Sequence, residues 1–283
     1  PLAGVGATAS LATDRRKRGS HRIHLAIQTA GQTIVQSLRL VKDRRTRPQE
    51  ESIASGLILN LIAEVCGIDE RVPLELFPEE TIAREEKTAP SDWCDLLLGK
   101  TEAILQGDPA PAATPARALF SGAFNPLHVG HEKMAAVASE LLGSRVDYEI
   151  SILNVDKPPL DYIEIGKRID QFPLGQRIWL SRAPTFLEKS RLFPGVTFVV
   201  GIDTLRRIAA PRYYRGSEAA CAEAIEEIAG RGCRFLVFGR SIGGSFIRLS
   251  DLDLPRSLAS VCTEVPETRF RQDVSSTEIR RQQ

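Results

Sequence analysis

Ser121-Gly122-Ala123-Phe124-Asn125-Pro126-Leu127-His128-Val129-Gly130-His131 stands between a short apolar strand expected at 116–121 and a helix expected at 130–142. Outward from it the order strand then helix repeats. A strand is expected over 148–153, another over 197–200 ending at Gly201, a helix over 203–208, an Ala- and Glu-rich helix over 216–229, and a strand over 234–238. Such alternation favours an α/β architecture, a parallel sheet covered by helices. Ligands of these sheets sit at the carboxyl ends of the strands, where the quoted loop begins.

The loop has the makings of an anion cradle. Gly122 allows close backbone approach, Pro126 stiffens the turn, and free N–H groups at the helix start attract negative charge. His128 and His131 are three apart on the first helical turn, so both imidazoles can donate to one phosphate. Two other uses exist for such a pair, a solvated helix start or two metal ligands. The metal use is weak, because the other histidines, His21 and His24, are far along the chain and no acidic or thiol cluster stands at ligand spacing.

A second polar segment is Val274-Ser275-Ser276-Thr277-Glu278-Ile279-Arg280. Ser275, Ser276 and Thr277 can cap a helix whose amino end points at phosphate, and Arg280, one turn on, adds a forked cation. In isolation the tripeptide reads as an ordinary helix cap. Gly201-Ile202-Asp203 follows an apolar strand, where Asp203 is either a ligand-binding carboxylate or an N-cap. Lys157, in Asn154-Val155-Asp156-Lys157-Pro158-Pro159, can reach a phosphate from the same sheet edge or remain a solvated loop lysine. Trp179 falls in an expected helix, Gln176 to Leu180, and suits core packing better than a site.

Gly122 to His131 is similar to the G-x-F-x-P-x-H-x-G-H signature of the nucleotidylyltransferase superfamily, and Val274 to Arg280 resembles its I-S-S-T-x-I-R motif. The nicotinamide and nicotinate mononucleotide adenylyltransferases are the nearest resemblance. It implies a Rossmann-like nucleotidylyltransferase domain over 116–283 that transfers AMP from ATP to a pyridine mononucleotide and releases pyrophosphate in NAD biosynthesis. His128, His131 and Arg280 would then be catalytic. Gly122, Phe124, Asn125, Lys157, Gly201, Asp203, Ser275, Ser276 and Thr277 would bind nucleotide or substrate, with Mg²⁺ arriving on the triphosphate and no protein metal ligand. Both motifs address the triphosphate, so transfer of CMP or AMP to another small phosphorylated acceptor stays open, as does a non-catalytic nucleotide-binding regulatory module.

The prolines and small residues of Gly107 to Pro115 read as a linker. Before it, Arg22 to Gln28 and Thr33 to Lys42 alternate as a hairpin, and Pro48 opens a helix that ends at Gly67. Residues 71–106 read as mostly helical connection. Gly4 to Gly19 reads as a glycine-bearing loop with a basic run. With the hairpin it resembles the latter part of the CinA carboxyl-terminal domain, whose members include nicotinamide mononucleotide deamidases, over about the first 70 residues. That resemblance implies a smaller, incomplete α/β domain over 1–106 whose catalytic serine would precede Pro1. The chain has no initiator Met, which suggests that residues precede Pro1 in the parent protein.

Composition excludes several classes. The 283 residues carry 37 Lys and Arg against 36 Asp and Glu, so no global charge draws nucleic acid or an anionic membrane. Five scattered cysteines suit a reducing cytoplasm, and no apolar run approaches a membrane span. Oligomeric state is left open, a homo-oligomer included.

Overall fold

A computed structural model describes residues 2–15, 18–107, 117–242 and 245–271. The chain divides into two compact units, Pro1–Cys94 and Asp95–Gln283.

The first unit is an antiparallel sheet in the order β1-β2-β3-β4, formed by β1 (Gly4–Ser10), β2 (His21–Gln28), β3 (Gln32–Leu40) and β4 (Ile82–Thr88). Alternation in β2 puts Ile23, Leu25 and Ile27 into the core, where they meet Ile53, Leu57 and Leu61 of α1 (Arg47–Val65). Thr46 caps that helix, its N–H donating to Oε1 of Gln49, the third helical residue, at 2.8 Å, with Pro48 in the first turn.

Two expectations change here. Gly4 to Ser10 is a strand, not a loop, paired with β2 from Gly4↔Gln28 to Ser10↔Arg22. Its small residues bury almost nothing, so the partner's hydrogen bonds hold it and the sequence carries no apolar period. Residues 71–106 are likewise not mostly helical. They hold the charged strand β4, the short helix α2 (Ser91–Leu97) and β5 (Ala103–Gln106). β4, Ile-Ala-Arg-Glu-Glu-Lys-Thr, is an edge strand that takes its ladder from β3 and needs no hydrophobic face.

The second unit is a seven-stranded sheet in the order β13-β10-β9-β6-β7-β8-β5. Its parallel strands are β6 (Ala118–Ser121), β7 (Val146–Ser151), β8 (Ile178–Ser181), β9 (Thr197–Gly201), β10 (Arg234–Phe238) and β13 (Cys262–Val265). The connecting helices are α3 (Val129–Leu142), α4 (Tyr162–Ile169), α5 (Phe186–Leu192), α6 (Ile202–Ile208), α7 (Glu218–Gly230) and α8 (Arg256–Ala259). A small hairpin, β11 (Arg240–Ile242) and β12 (Ser245–Ile247), follows β10. The expected mixed α/β fold with a Rossmann-like sheet and a smaller sheet domain before it is what the chain forms.

β5 pairs antiparallel with β8, from Ala103↔Ser181 to Gln106↔Ile178. The second unit therefore begins upstream of the expected 107–115 linker, most of which lies outside the described residues. A strand whose partner lies so far downstream has no local signal. Trp179 is in strand β8, not a helix. It faces Phe193 at 5.2 Å between centroids and donates from Nε1 to Asp147 Oδ2 at 3.2 Å.

Alternation along the strands makes two cores. Phe120 and Tyr148 meet Phe124 and Phe172 on one face. On the other, Leu119, Phe198, Val200, Phe235 and Val237 pack against Leu205, Ile225 and Ile228 of the helices. β6, β7 and β8 run to one side, and the chain then returns to place β9 on the other side of β6. That reversal opens the crevice at the carboxyl ends of β6 and β9. Among the described residues no helix is long and apolar enough to cross a membrane.

Phe198 is fully buried, stacked on Phe235 at 5.7 Å and edge-on to Phe186 at 5.1 Å. Phe198→Ala should cost about 3–5 kcal/mol, read as a lower urea midpoint for the second unit.

Candidate functional site

The quoted loop leaves β6 with one last ladder bond, Gly122 N–H to Glu149 O at 3.0 Å. It then folds back so that the Phe124 ring is buried beneath it. A Cβ on Gly122 would lie 2.7 Å from Phe124 Cζ, so glycine is required here by contact. Phe124 takes φ 43°, strained for a residue with a side chain, and Asn125-Pro126 is a cis peptide. Packing holds that conformation, with the Phe124 ring edge-on to Phe120, His131, Tyr148 and Phe172 at centroid distances of 5.1 to 5.4 Å.

Helix α4 and the residues just past its end grip the loop from outside. Arg168 Nη1 donates to Ala123 O at 3.0 Å, Gln171 Nε2 donates to Phe124 O at 3.1 Å, and the Leu127 N–H donates to Gln171 Oε1 at 2.8 Å. Neither Arg168 nor Gln171 carries a motif signal. Their role exists only because α4 packs beside the loop.

His128 is the N-cap of α3, with extended φ −149° and ψ 165°, and His131 is its third helical residue. Their rings stack at 3.7 Å between centroids and 21° between planes. Burial first, then the neighbouring His128, lowers His131 to about 3, and burial also lowers His128. Both are thus neutral near pH 7. The His128 N–H donates to His131 Nδ1 at 3.3 Å, which leaves the His131 proton on Nε2 as a fixed donor.

A cleft of about 620 Å³ opens at the ends of β6, β7 and β8. Gly122 and Lys157 line it, joined by Glu149, Arg168, Lys189 and Arg207, which have no motif to mark them. A side pocket of about 150 Å³, walled by Phe186, Tyr213 and Tyr214, shares Asn154 and Asp156 with it. Tyr213 Oη donates to Asp156 Oδ2 at 3.1 Å and so ties the 154–157 loop to the connector after α6.

Other expected site residues fall elsewhere. Phe124 is 1% exposed and belongs to the core, so the loop offers its backbone rather than its ring. Asn125 is exposed beside it. His128 and His131 stand at the head of α3 and do not line the cleft. Gly201 is the N-cap of α6, so Asp203 is not the cap. Asp203 pairs instead with Arg240, just beyond β10. Ser275, Ser276, Thr277 and Arg280 lie outside the described residues.

The lining charges are uneven. Glu149 binds Lys189 at 2.6 Å, Asp156 accepts from Tyr213, and Glu164 binds Lys167 at 2.7 Å. Lys157, Arg168 and Arg207 form no ion pair among the described residues. Burial lowers Arg168 from its ordinary value, with Glu164 opposing, a cost that an anion in the cleft would relieve.

Two outcomes test this geometry. Gly122→Ala should force the Phe124 ring aside and lower stability by about 1–3 kcal/mol in denaturant titration. His131 binds its proton less tightly folded, at about 3, than at its ordinary 6.5, so its contribution is complete above 6.5 and is lost as pH falls toward 3. The wild type should therefore lose more stability between pH 7 and pH 5 than His131→Asn does.

The family model described as Cytidylyltransferase-like matches residues 119–282, more than half of the chain, from β6 through the carboxyl-terminal motif. No curated protein matches the chain. The match begins inside the strand that feeds the histidine loop and takes in the other parallel strands, the crevice and the cleft, and on that ground the chain belongs to the Cytidylyltransferase-like family of the nucleotidyltransferase superfamily.

Proposed function

We propose that the chain is an adenylyltransferase that joins AMP from ATP to a pyridine mononucleotide, nicotinamide or nicotinate mononucleotide, in NAD biosynthesis. The observation that carries this reading is the charge imbalance of the cleft. Three cations, Lys157, Arg168 and Arg207, line a space where Glu149 and Glu164 are paired with lysines, which leaves Asp156, hydrogen-bonded to the neutral Tyr213 hydroxyl, as the one lining carboxylate outside an ion pair among the described residues. Such a space suits a small anionic acceptor. About 620 Å³ lies in the range of pockets for small organic ligands, and a mononucleotide is one of these.

In this reading the acceptor occupies the cleft, and ATP, entering with Mg²⁺ on its phosphates, lies toward the head of α3. An acceptor phosphate oxygen attacks the α-phosphorus of ATP. A new P–O bond forms, the bond to the bridging oxygen breaks, and pyrophosphate leaves with the electron pair. The nucleophile is already an anion, so no general base is needed, and catalysis consists of alignment and charge stabilisation. His131, neutral with its proton on Nε2, donates to the α-phosphate beside His128. The 275–280 motif resembles the family's segment for the leaving phosphates.

A second reading has support from the family itself, whose description names cytidylyl transfer. CTP would then be the donor and another phosphorylated compound the acceptor.

Purified protein given ATP, Mg²⁺ and either mononucleotide should release pyrophosphate. His128→Ala should lower kcat by about 10²-fold, the usual scale for losing one transition-state donor. Lys157→Ala and Arg207→Ala should each raise the acceptor KM by about 10-fold with a smaller change in kcat. No pyrophosphate above the His128→Ala background with either mononucleotide would end the adenylyl-transfer reading, and turnover with CTP in place of ATP would establish the second.

A further inference from the structure

The floor of the cleft holds a buried polar group that phosphate binding does not use. Lys189, 5% exposed, donates from Nζ to Glu149 Oε1 and Oε2 at 2.6 and 2.7 Å, and Glu149 is fully buried. Ser181 Oγ adds a bond to Glu149 Oε1 at 2.6 Å. Beside Glu149 in the sheet, its direct neighbour on β6, is Ser121. Ser121 lines the cleft, yet its buried Oγ has no hydrogen-bond partner among the described residues.

Burying an ion pair gains little stability over apolar residues of the same size, and an orphaned buried hydroxyl costs free energy. All three residues line the same cleft. Two of the Lys189 hydrogens go to Glu149, leaving one donor. The Ser121 hydroxyl can donate or accept and turns about a single bond. The Phe186 ring, with Lys189 Nζ 6.0 Å from its centroid, supplies an apolar wall. Because Glu149 cancels Lys189, the floor offers hydrogen bonds without net charge. A carboxylate seated there would lose its hydration with no countercharge in return, whereas a carboxamide would lose far less.

Resting on the acceptor reading above, we infer that Ser121 and the Glu149–Lys189 pair read a neutral carboxamide on the ring of the acceptor and disfavour the corresponding carboxylate. The carboxamide oxygen accepts from Lys189 and its N–H donates to Ser121 Oγ. Glu149 acts through Lys189, as a positioning and charge-cancelling residue.

The test is direct binding of nicotinamide mononucleotide and nicotinate mononucleotide by calorimetry, together with kcat/KM for each. The wild type should prefer the amide by about 10-fold or more, the scale of one good hydrogen bond plus an uncompensated charge. Ser121→Ala should weaken the amide by about 10-fold and leave the acid nearly unchanged. Ser121→Cys keeps the volume with a weaker hydrogen bond and should follow it, so the test survives misfolding of one variant. Glu149→Gln uncovers the Lys189 charge and should move the preference toward the acid, which a merely structural role would not do. Equal affinities in the wild type, or an amide-to-acid ratio untouched by both Ser121 variants, would overturn the inference and leave the acceptor reading standing. Binding of neither mononucleotide would overturn both.

Discussion

One aromatic ring organises the second unit. Phe124 comes from a loop at the carboxyl end of the central strand β6, yet its ring is driven into the core among Phe120, Tyr148, Phe172 and His131. Full burial of such a side chain stabilises by roughly 1.5–3 kcal/mol, enough to hold the positive φ that the loop requires. With the ring in place, Gly122 cannot carry a side chain, the chain must turn sharply at Pro126, and His128 arrives in the N-cap position of α3. Arg168 and Gln171 then fasten the carbonyls that the turn leaves pointing outward.

The same packing sets the electrostatics. His131 lies against two of those rings and beneath His128, so it is held neutral, with its tautomer chosen by a backbone N–H. A neutral donor of fixed direction is what the proposed adenylyl transfer would need at the α-phosphate. In the cleft the logic is reversed. Among the described residues Lys157, Arg168 and Arg207 have no carboxylate partner, while Lys189 is paired with Glu149. Cations of two kinds therefore line one cleft, one set without carboxylate partners among the described residues and the other paired at its base.

Much of this was legible beforehand. The strand-helix alternation after 116 is written in apolar runs long enough for period to be read, and β6, β7, β9, β10, α3, α6 and α7 all stand within a few residues of where it placed them. The elements that were misread share a cause. β1 and β4 are edge or near-edge strands with few apolar residues, β5 takes its partner from far along the chain, and β8 is too short for helix and strand periods to be told apart. Each forms because a neighbour offers hydrogen bonds, and a neighbour is not visible in a linear string.

The sequence by itself determined the loop chemistry: glycine after the strand, proline at the turn and two histidines at helical spacing, because these are local requirements carried by residues close together. Only the tertiary structure decided what surrounds that loop. Glu149 of β7, Lys189 of α5, and Arg168 and Gln171 at the end of α4 come from other elements, and none is unusual in its own stretch. Their roles arise from proximity, which parallel pairing of β6 with β7 and the return of the chain to β9 create. Phe124 marks the difference most clearly, since the motif suggests a ligand-binding aromatic and packing makes it the support beneath the loop.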